Sequence, residues 1–299
     1  MIKVSNVSKS FEDLTALHNV SLNIRRGSLY GLVGSNGAGK TTMLKLLAGI
    51  YSQDEGEILI EEEKVFENNR VKGKIAFIAD DLYFFSQYSV RAMARFYRDI
   101  YPTWSEERFQ KLKEVFNIDL KKPISRLSKG MQRQVAFWLA LSLMPEIIIL
   151  DEPLDGLDPV MRQKVKNLLI QDVAEREVTI IISSHNLRDL EDICDHVGIL
   201  HKGALVLEKE LDELKTDIHK IQVAFPDETP EQLLNHPEIV YKEERGSVTL
   251  FIIRGDKKEV AERFAGFKPV ILDILPLTLE EIFVYEMGEA GYEIRNVLY

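Results

Sequence analysis

One cysteine, Cys194, stands in 299 residues, which excludes an intrachain disulfide and suits a reducing compartment. No stretch approaches the roughly 18 consecutive apolar residues that span a bilayer. The most apolar run, residues 135–144, is ten residues long and contains Ser142, as a buried helix would. Basic excess is missing too. The 38 Lys and Arg against 48 Asp and Glu leave a net charge of −10, and a nucleic-acid-binding surface needs a cationic footprint instead. The opening residues, MIKVSNVSKSF, hold no cationic stretch followed by an apolar core of signal-peptide length; they read as the first strand of a cytoplasmic protein. Work on a membrane would therefore require a separate spanning polypeptide. The length suffices for one large domain and a smaller one.

What is present is organised around residues 34–42, GSNGAGKTT. The apolar run LYGLV precedes this stretch and MLKLLA follows it, the strand-to-helix context that a phosphate-binding loop requires. Gly34, Gly37 and Gly39 free the backbone to turn successive N–H groups inward, so Gly34, Ser35, Asn36, Gly37, Ala38, Gly39, Lys40, Thr41 and Thr42 are candidate nucleotide contacts. The helix starting near Lys40 adds its positive end, Lys40 a full charge for the β and γ phosphates, and Thr41 a hydroxyl for Mg²⁺.

Strand-like pieces at residues 2–4, 20–24 and 55–60 flank this loop. Phe11, expected in a polar turn between the first two, is either satellite core or a platform for adenine stacking. Residues 74–79 read as a further strand ending at Asp80 and Asp81. A helical period then runs from Ser89 to about Leu120 with a break at Pro102, implying an inserted helical subdomain over about 85–126. RLSKGMQ opens another helix with Ser128 as N-cap and Gly130 allowing close backbone approach. IIIL followed by Asp151 and Glu152 is a strand buried on both faces that ends in two carboxylates, at the sheet edge where ligands bind. Asp151 suits a magnesium shell and Glu152 a general base. GLDP, with Asp158, turns into the next helix, and the strand of residues 178–184 ends at His185, within reach of a γ-phosphate. His196 and His201 carry no such context.

In this order and approximate spacing, GSNGAGKTT, LSKGM, the strand with DE, GLDP and SSH resemble the ATP-binding-cassette (ABC) ATPases over residues 1–210. LSKGM looks like the form found in the bacterial drug-export branch. The resemblance implies the ligands ATP and Mg²⁺, separate transmembrane permease subunits, and a location peripheral to the inner face of the cell membrane. It also implies head-to-tail pairing with a second cassette, identical or not, in which Ser128 and Gly130 touch the γ-phosphate bound to the partner and Asp158 lies at the seam. Two departures stand out. Lys129 and Met131 replace residues of the commoner LSGGQ signature, and Asp80 (Asp81 in the other register) stands where a glutamine usually reaches magnesium. An aspartate there approaches Mg²⁺ directly or through water, or weakens coupling to the membrane partner. The helical subdomain is where the family docks a short helix of the membrane subunit, and its aromatics, Phe84, Phe85, Tyr88, Phe96, Tyr97, Tyr101 and Trp104, are mostly core candidates. The competing class, a soluble non-transport ABC ATPase acting as a mechanical switch, usually carries two cassettes or a long coiled-coil insertion, and this sequence has neither.

Residues 211–299 alternate as βαββαβ, which predicts a small ferredoxin-like α+β domain with its helices on one face. A helix start is expected at Thr278, running through Phe283, and a tail from Gly288 to Tyr299 carries Ile294, Val297 and Leu298. The expected whole is an α/β chain: a P-loop core with a β-subdomain and an inserted helical subdomain at 1–210, then the accessory domain at 211–299.

Overall fold

The computed structural model describes residues 1–216, 218–226, 229–234, 236–275, 277–278 and 281–282. It divides into two compact units, Met1–Glu208 and Lys209–Tyr299. In the first, β1 (Ile2–Phe11) and β2 (Leu14–Ile24) form a hairpin, and β3 (Leu29–Val33) runs into α1 (Lys40–Leu47). There follow β4 (Glu55–Ile60), β5 (Glu63–Lys64), α2 (Asn69–Lys72), β6 (Ile75–Ile78), α3 (Val90–Ile100), α4 (Glu106–Phe116) and α5 (Lys129–Ser142). The unit closes with β7 (Ile147–Leu150), α6 (Pro159–Arg176), β8 (Thr179–Ser184), α7 (Leu187–Glu191), β9 (His196–His201) and β10 (Ala204–Glu210).

The central sheet has the order β10-β9-β3-β8-β7-β6, with β9, β3, β8, β7 and β6 parallel. β3, β7 and β8 are buried at every position, the consequence of apolar side chains on both faces of a sheet covered on both sides. A second, antiparallel sheet, β2-β1-β4-β5, makes the β-subdomain. Here β1 runs on to Phe11, so this residue ends a strand instead of lying in the expected turn. Register shifts and a positive φ at Asn6 interrupt its ladder, and such bulges break the alternation from which strand length is read.

Side-chain caps start three helices where the sequence placed them, Ser89 for α3, Ser128 for α5, and Asp158 with Pro159 for α6, and Ser105 caps α4 after the break at Pro102. α4 lies on α5 through Trp138, which is fully buried, stacks on Phe109 at 4.7 Å and donates Nε1–H to the Phe109 carbonyl at 2.8 Å. Arg108 of α4 reaches the buried carboxylate of Asp172 on α6 at 2.7 Å, and Arg176 holds its other oxygen at 2.8 Å. These contacts fix the inserted helices to the core.

The second unit contains α8 (Leu211–Thr216), β11 (Ile218–Ala224), α9 (Glu231–Leu234), β12 (Ile239–Arg245), β13 (Val248–Arg254), α10 (Lys257–Gly266) and β14 (Ile271–Leu275). Its sheet, β12-β13-β11-β14, is antiparallel throughout, the strand order of a ferredoxin-like βαββαβ unit. Ile221, Val223, Phe251 and Ile253 meet Leu233, Val260 and Phe264 in one core, so both helices cover the same face. Thr278 and Glu281 cap each other reciprocally, Thr278 N–H to Glu281 Oε2 at 3.0 Å and Glu281 N–H to Thr278 Oγ1 at 3.2 Å, a capping box. Phe283 and the tail 288–299 lie outside the described residues. Among the described residues no helix is long and apolar enough to cross a membrane.

Truncating Trp138 to Ala removes the stacked contact and a buried hydrogen bond together, and is expected to cost about 3–5 kcal/mol. Urea unfolding followed by tryptophan-independent circular dichroism measures it; a loss below about 1 kcal/mol would show that α4 does not depend on this contact.

Candidate active site

The turn between β3 and α1 wraps a cavity of about 470 Å³ lined by residues 35–42, with Leu14, Thr15, Ala16, Asp80, Glu152, Lys202 and Gly203 completing its wall. The loop is clamped from two sides. Gly203 N–H bonds to the Ala38 carbonyl at 3.0 Å, and His18 N–H to the Gly203 carbonyl at 2.8 Å. Gly39 has φ +106°, and a Cβ there would stand 2.6 Å from the Ala16 carbonyl oxygen, so only glycine fits. It caps α1, whose first N–H groups open toward the cavity. Lys40, almost wholly buried, donates Nζ to the carbonyls of Gly34 at 2.7 Å and Ser35 at 3.3 Å.

Asp151 and Glu152 leave β7 in different directions. Asp151, 1% exposed, accepts from Thr41 Oγ1 at 2.8 Å on one oxygen and from Ser183 Oγ at 2.7 Å on the other. Ser183 Oγ in turn accepts from the Glu152 N–H at 2.9 Å. Glu152 sits at φ +44°, an uncommon conformation for a side chain with a Cβ and a mark of functional sites. Its Oε1 faces Lys40 Nζ at 3.2 Å as an ion pair without hydrogen-bond alignment. Its Oε2 accepts from the His185 N–H at 3.3 Å and lies 3.0 Å from His185 Nδ1.

Of the remaining sequence candidates, Asp80 lines the cavity but its carboxylate is already engaged. Arg133 of α5, itself 8% exposed, donates to Asp80 Oδ1 at 3.0 Å and to the carbonyls of Asp80 at 2.9 Å and Ala79 at 3.2 Å. Ser128 caps α5 by accepting from Met131 N–H, and Asp158 caps α6 by accepting from Met161 N–H at 3.0 Å. A Cβ on Gly130 would lie 2.5 Å from the Gly156 carbonyl oxygen, so α5 and the turn after β7 touch backbone to backbone. None of Ser128, Gly130, Asp158, Gly34 or Phe11 is in the cavity lining; Phe11 packs edge-on against Tyr51 at 5.3 Å. Exposed Leu14 occupies the wall instead.

Several members of the site were not foreseen. Ser183 was visible only as a polar residue within a buried strand, and Leu14 to Ala16, Lys202 and Gly203 join through tertiary pairing. Asp155 gathers with Glu152 and His185, their ligating atoms within 4.8 Å of one another. Partial burial and then the Glu152 carboxylate push the Asp155 carboxyl above its ordinary range, with Asp80 adding to this and His185 and Arg133 opposing it.

Two outcomes follow from these contacts. Arg133→Ala is expected to cost about 2 kcal/mol, because two loop carbonyls and a carboxylate lose their donor; Asp80→Asn is expected to cost only about 0.5 kcal/mol, since the exposed ionic component is weak. Equal losses in urea unfolding would contradict that division. For Asp155, a carboxyl raised in the fold carries a cost that is present above its folded pKa and disappears as pH falls through it. Asp155→Asn should therefore raise the melting temperature at neutral pH and leave it unchanged in acid, as calorimetry across pH would record; a gain that persists in acid excludes this origin.

Residues 17–155 match the family model described as ABC transporter. The chain is 33% identical over 288 residues to the ABC transporter ATP-binding protein YtrB of Bacillus subtilis, covering 96% of this chain and 98% of that one. It is 32% identical over 218 residues to the bacitracin transport ATP-binding protein BcrA of Bacillus licheniformis, covering 72% and 71%. Among solved structures, an ATP-binding subunit of an ABC transporter superposes with a TM-score of 0.66 at 26% identity, over 72% of this chain and 92% of that one. The dimeric bacterial ABC transporter cassette MJ0796 superposes with a TM-score of 0.65 at 24% identity, over 71% and 99%. With the phosphate loop and Glu152 lining one cavity and a relative matched along nearly its whole length, the chain belongs to the ABC transporter ATP-binding proteins, the ATPase subunits of such transporters.

Proposed function

We propose that this ATPase subunit drives an exporter by closing on a second copy of itself around ATP and Mg²⁺, from the inner face of the membrane in which separate permease subunits lie. The observation that carries the reading is that Lys40, Thr41 and Glu152 line one cavity, with Asp151 bonded to Thr41 and His185 in contact with Glu152 beside the carboxyl ends of β7 and β8. Lys40 and the loop N–H groups bind the phosphates. Glu152 takes a proton from the attacking water, and His185 holds both the Glu152 carboxylate and the γ-phosphate in register.

The oxygens of Thr41 and Asp151, 2.8 Å apart, are a hard donor pair of the type magnesium accepts, which supports them as its holders. The ion would neutralise charge on the β and γ phosphates. Asp80 serves this group only by exchanging or sharing its contact with Arg133.

Pairing follows from what one chain's cavity leaves out. Ser128, Gly130 and Asp158 do not line it, while the N-terminus of α5 is an anion site by its dipole and free N–H groups. Since each chain carries both the phosphate loop and the signature, two identical chains suffice to complete two sites. For the permease, a groove of about 250 Å³ between β6, α3 and α5, lined by Phe77, Leu82, Tyr83, Phe84, Tyr97 and Tyr101, offers an apolar seat for a short amphipathic helix. Export is favoured by the relative that serves bacitracin transport.

Glu152→Gln tests the reading. Hydrolysis should fall by about 10²–10⁴-fold, the contribution of a general base, and light scattering should show the mass doubling with ATP. Purified from gently solubilised membranes with ATP, the variant should bring a membrane-spanning protein with it. A monomer at saturating ATP overturns the homodimer, and recovery only with ribosomes or DNA overturns the transporter assignment.

A further inference from the structure

Helices α3 and α4 enclose a second groove of about 310 Å³, distinct from the nucleotide cavity. Arg91, Arg95 and Arg98 enter it from α3 and Lys113 from α4, with Glu106 the one carboxylate in its lining. The 91, 95, 98 spacing places the three guanidinium groups along one helical face. Arg91, Arg95 and Lys113 make no side-chain hydrogen bond or ion pair among the described residues, and Arg98 meets only its neighbour Asp99 at 3.8 Å. Glu106 forms no ion pair with them, its oxygens accepting from Trp104 Nε1 at 3.2 Å and Gln110 Nε2 at 2.8 Å, and one carboxylate against four cations leaves the groove positive. Cations of α4 outside the groove are paired, Arg108 with Asp172 and Lys111 with Glu107, each at 2.7 Å. Thus, in a chain of net charge −10, unneutralised positive charge is gathered at one place, where it repels itself and contributes nothing to folding.

The complementary ligand is anionic and phosphate-like, since guanidinium groups match phosphate oxygens in bidentate fashion. A docked peptide is disfavoured by the walls: α3 and α4 satisfy their backbone groups internally, Ala94 and Phe109 are buried beneath the charges, and Leu120 after α4 is the one half-exposed apolar member, so there is no edge for strand addition and little for an apolar anchor. Three guanidinium groups along one helical face, with a fourth cation across the groove, form an extended positive face of the kind that an anionic membrane surface attracts. We propose that the α3–α4 groove binds the headgroups of anionic phospholipids and so orients the cassette on the membrane surface. The acidic remainder of the chain is repelled by the same surface, which makes the contact directional. This rests on the reading of the chain as a membrane-peripheral subunit.

The test uses the full purified chain and vesicles of phosphatidylglycerol with phosphatidylcholine, compared with phosphatidylcholine alone. Co-sedimentation should require phosphatidylglycerol and weaken with salt. Arg91→Gln with Arg95→Gln should lower the partition coefficient about thirtyfold, from the contribution of each surface cation, without changing the melting temperature or nucleotide binding. Lys111→Gln, which removes a cation already paired with Glu107, should leave partitioning as it was. Wild-type binding that ignores phosphatidylglycerol, or a double variant that partitions like wild type, overturns the proposal. Inorganic pyrophosphate that binds the chain through Arg91 and Arg95 while phosphatidylglycerol vesicles fail to sediment it overturns the lipid source in favour of a free phosphate ligand. Failure here with ATP-dependent dimers and permease co-purification intact removes the lipid contact alone, whereas failure of those two assays removes the transporter reading.

Discussion

A buried carboxylate is tolerated only when its lone pairs are taken, and the active centre depends on how Asp151 meets that condition. Its two oxygens accept from Thr41 at the start of α1 and from Ser183 in β8, so one side chain at the end of β7 ties the phosphate loop helix to the neighbouring parallel strand. Ser183 spends its proton on Asp151 and its lone pair on the Glu152 N–H. That second bond holds Glu152 at its positive φ, and a backbone conformation costing on the order of 1 kcal/mol is repaid by aiming the carboxylate into the cavity. Loss of Ser183 would therefore disturb two acidic residues at once, although it touches no ligand itself.

The placement of Glu152 between Lys40 on one oxygen and His185 on the other gives the carboxylate two cation-capable neighbours and one open direction, toward the phosphate loop. In the proposed mechanism Lys40 would exchange its ion pair with Glu152 for a phosphate oxygen, which would leave the carboxylate to the attacking water. Asp155 adds a second acid to the pair of Glu152 and His185, its carboxyl raised by partial burial and then by the Glu152 charge.

The elements that carry the site were legible because they are written in contiguous motifs whose flanks have a fixed period: the apolar runs before Asp151 and the SSH at His185 announce a covered parallel sheet, and the phosphate loop carries its own strand and helix. The βαββαβ order of the second unit was readable from alternation for the same reason. Contacts made by tertiary neighbours were not. The cavity wall of Leu14 to Ala16 and Lys202 to Gly203 comes from the β1–β2 hairpin and the turn after β9, which no local pattern connects. Bulges in β1 hid its continuation to Phe11. Arg133 follows the signature by a few residues yet reads as one more polar position on a helix, and only packing shows that it is buried on the loop after β6.

That last contact gives a physical answer to the aspartate at position 80. A glutamine offers a neutral amide; Asp80 offers a charge, and Arg133 on α5 supplies its counter-charge together with two donors for the loop carbonyls. The same helix meets the turn after β7 at Gly130 and carries α4 on Trp138. From Gly130 to Trp138 is roughly 12 Å of helix, short and rigid enough that displacing any one attachment strains the others. α5 therefore links the loop beside the cavity, the turn that follows Glu152, and the helical subdomain. In this chain the link at Asp80 is ionic, so its strength varies with whatever charge enters the cavity, and a cation drawn to Asp80 must compete with Arg133 for it. On the proposed binding of Mg²⁺, Asp80 would be divided between that ion and Arg133, a competition that a neutral glutamine would not experience in the same way.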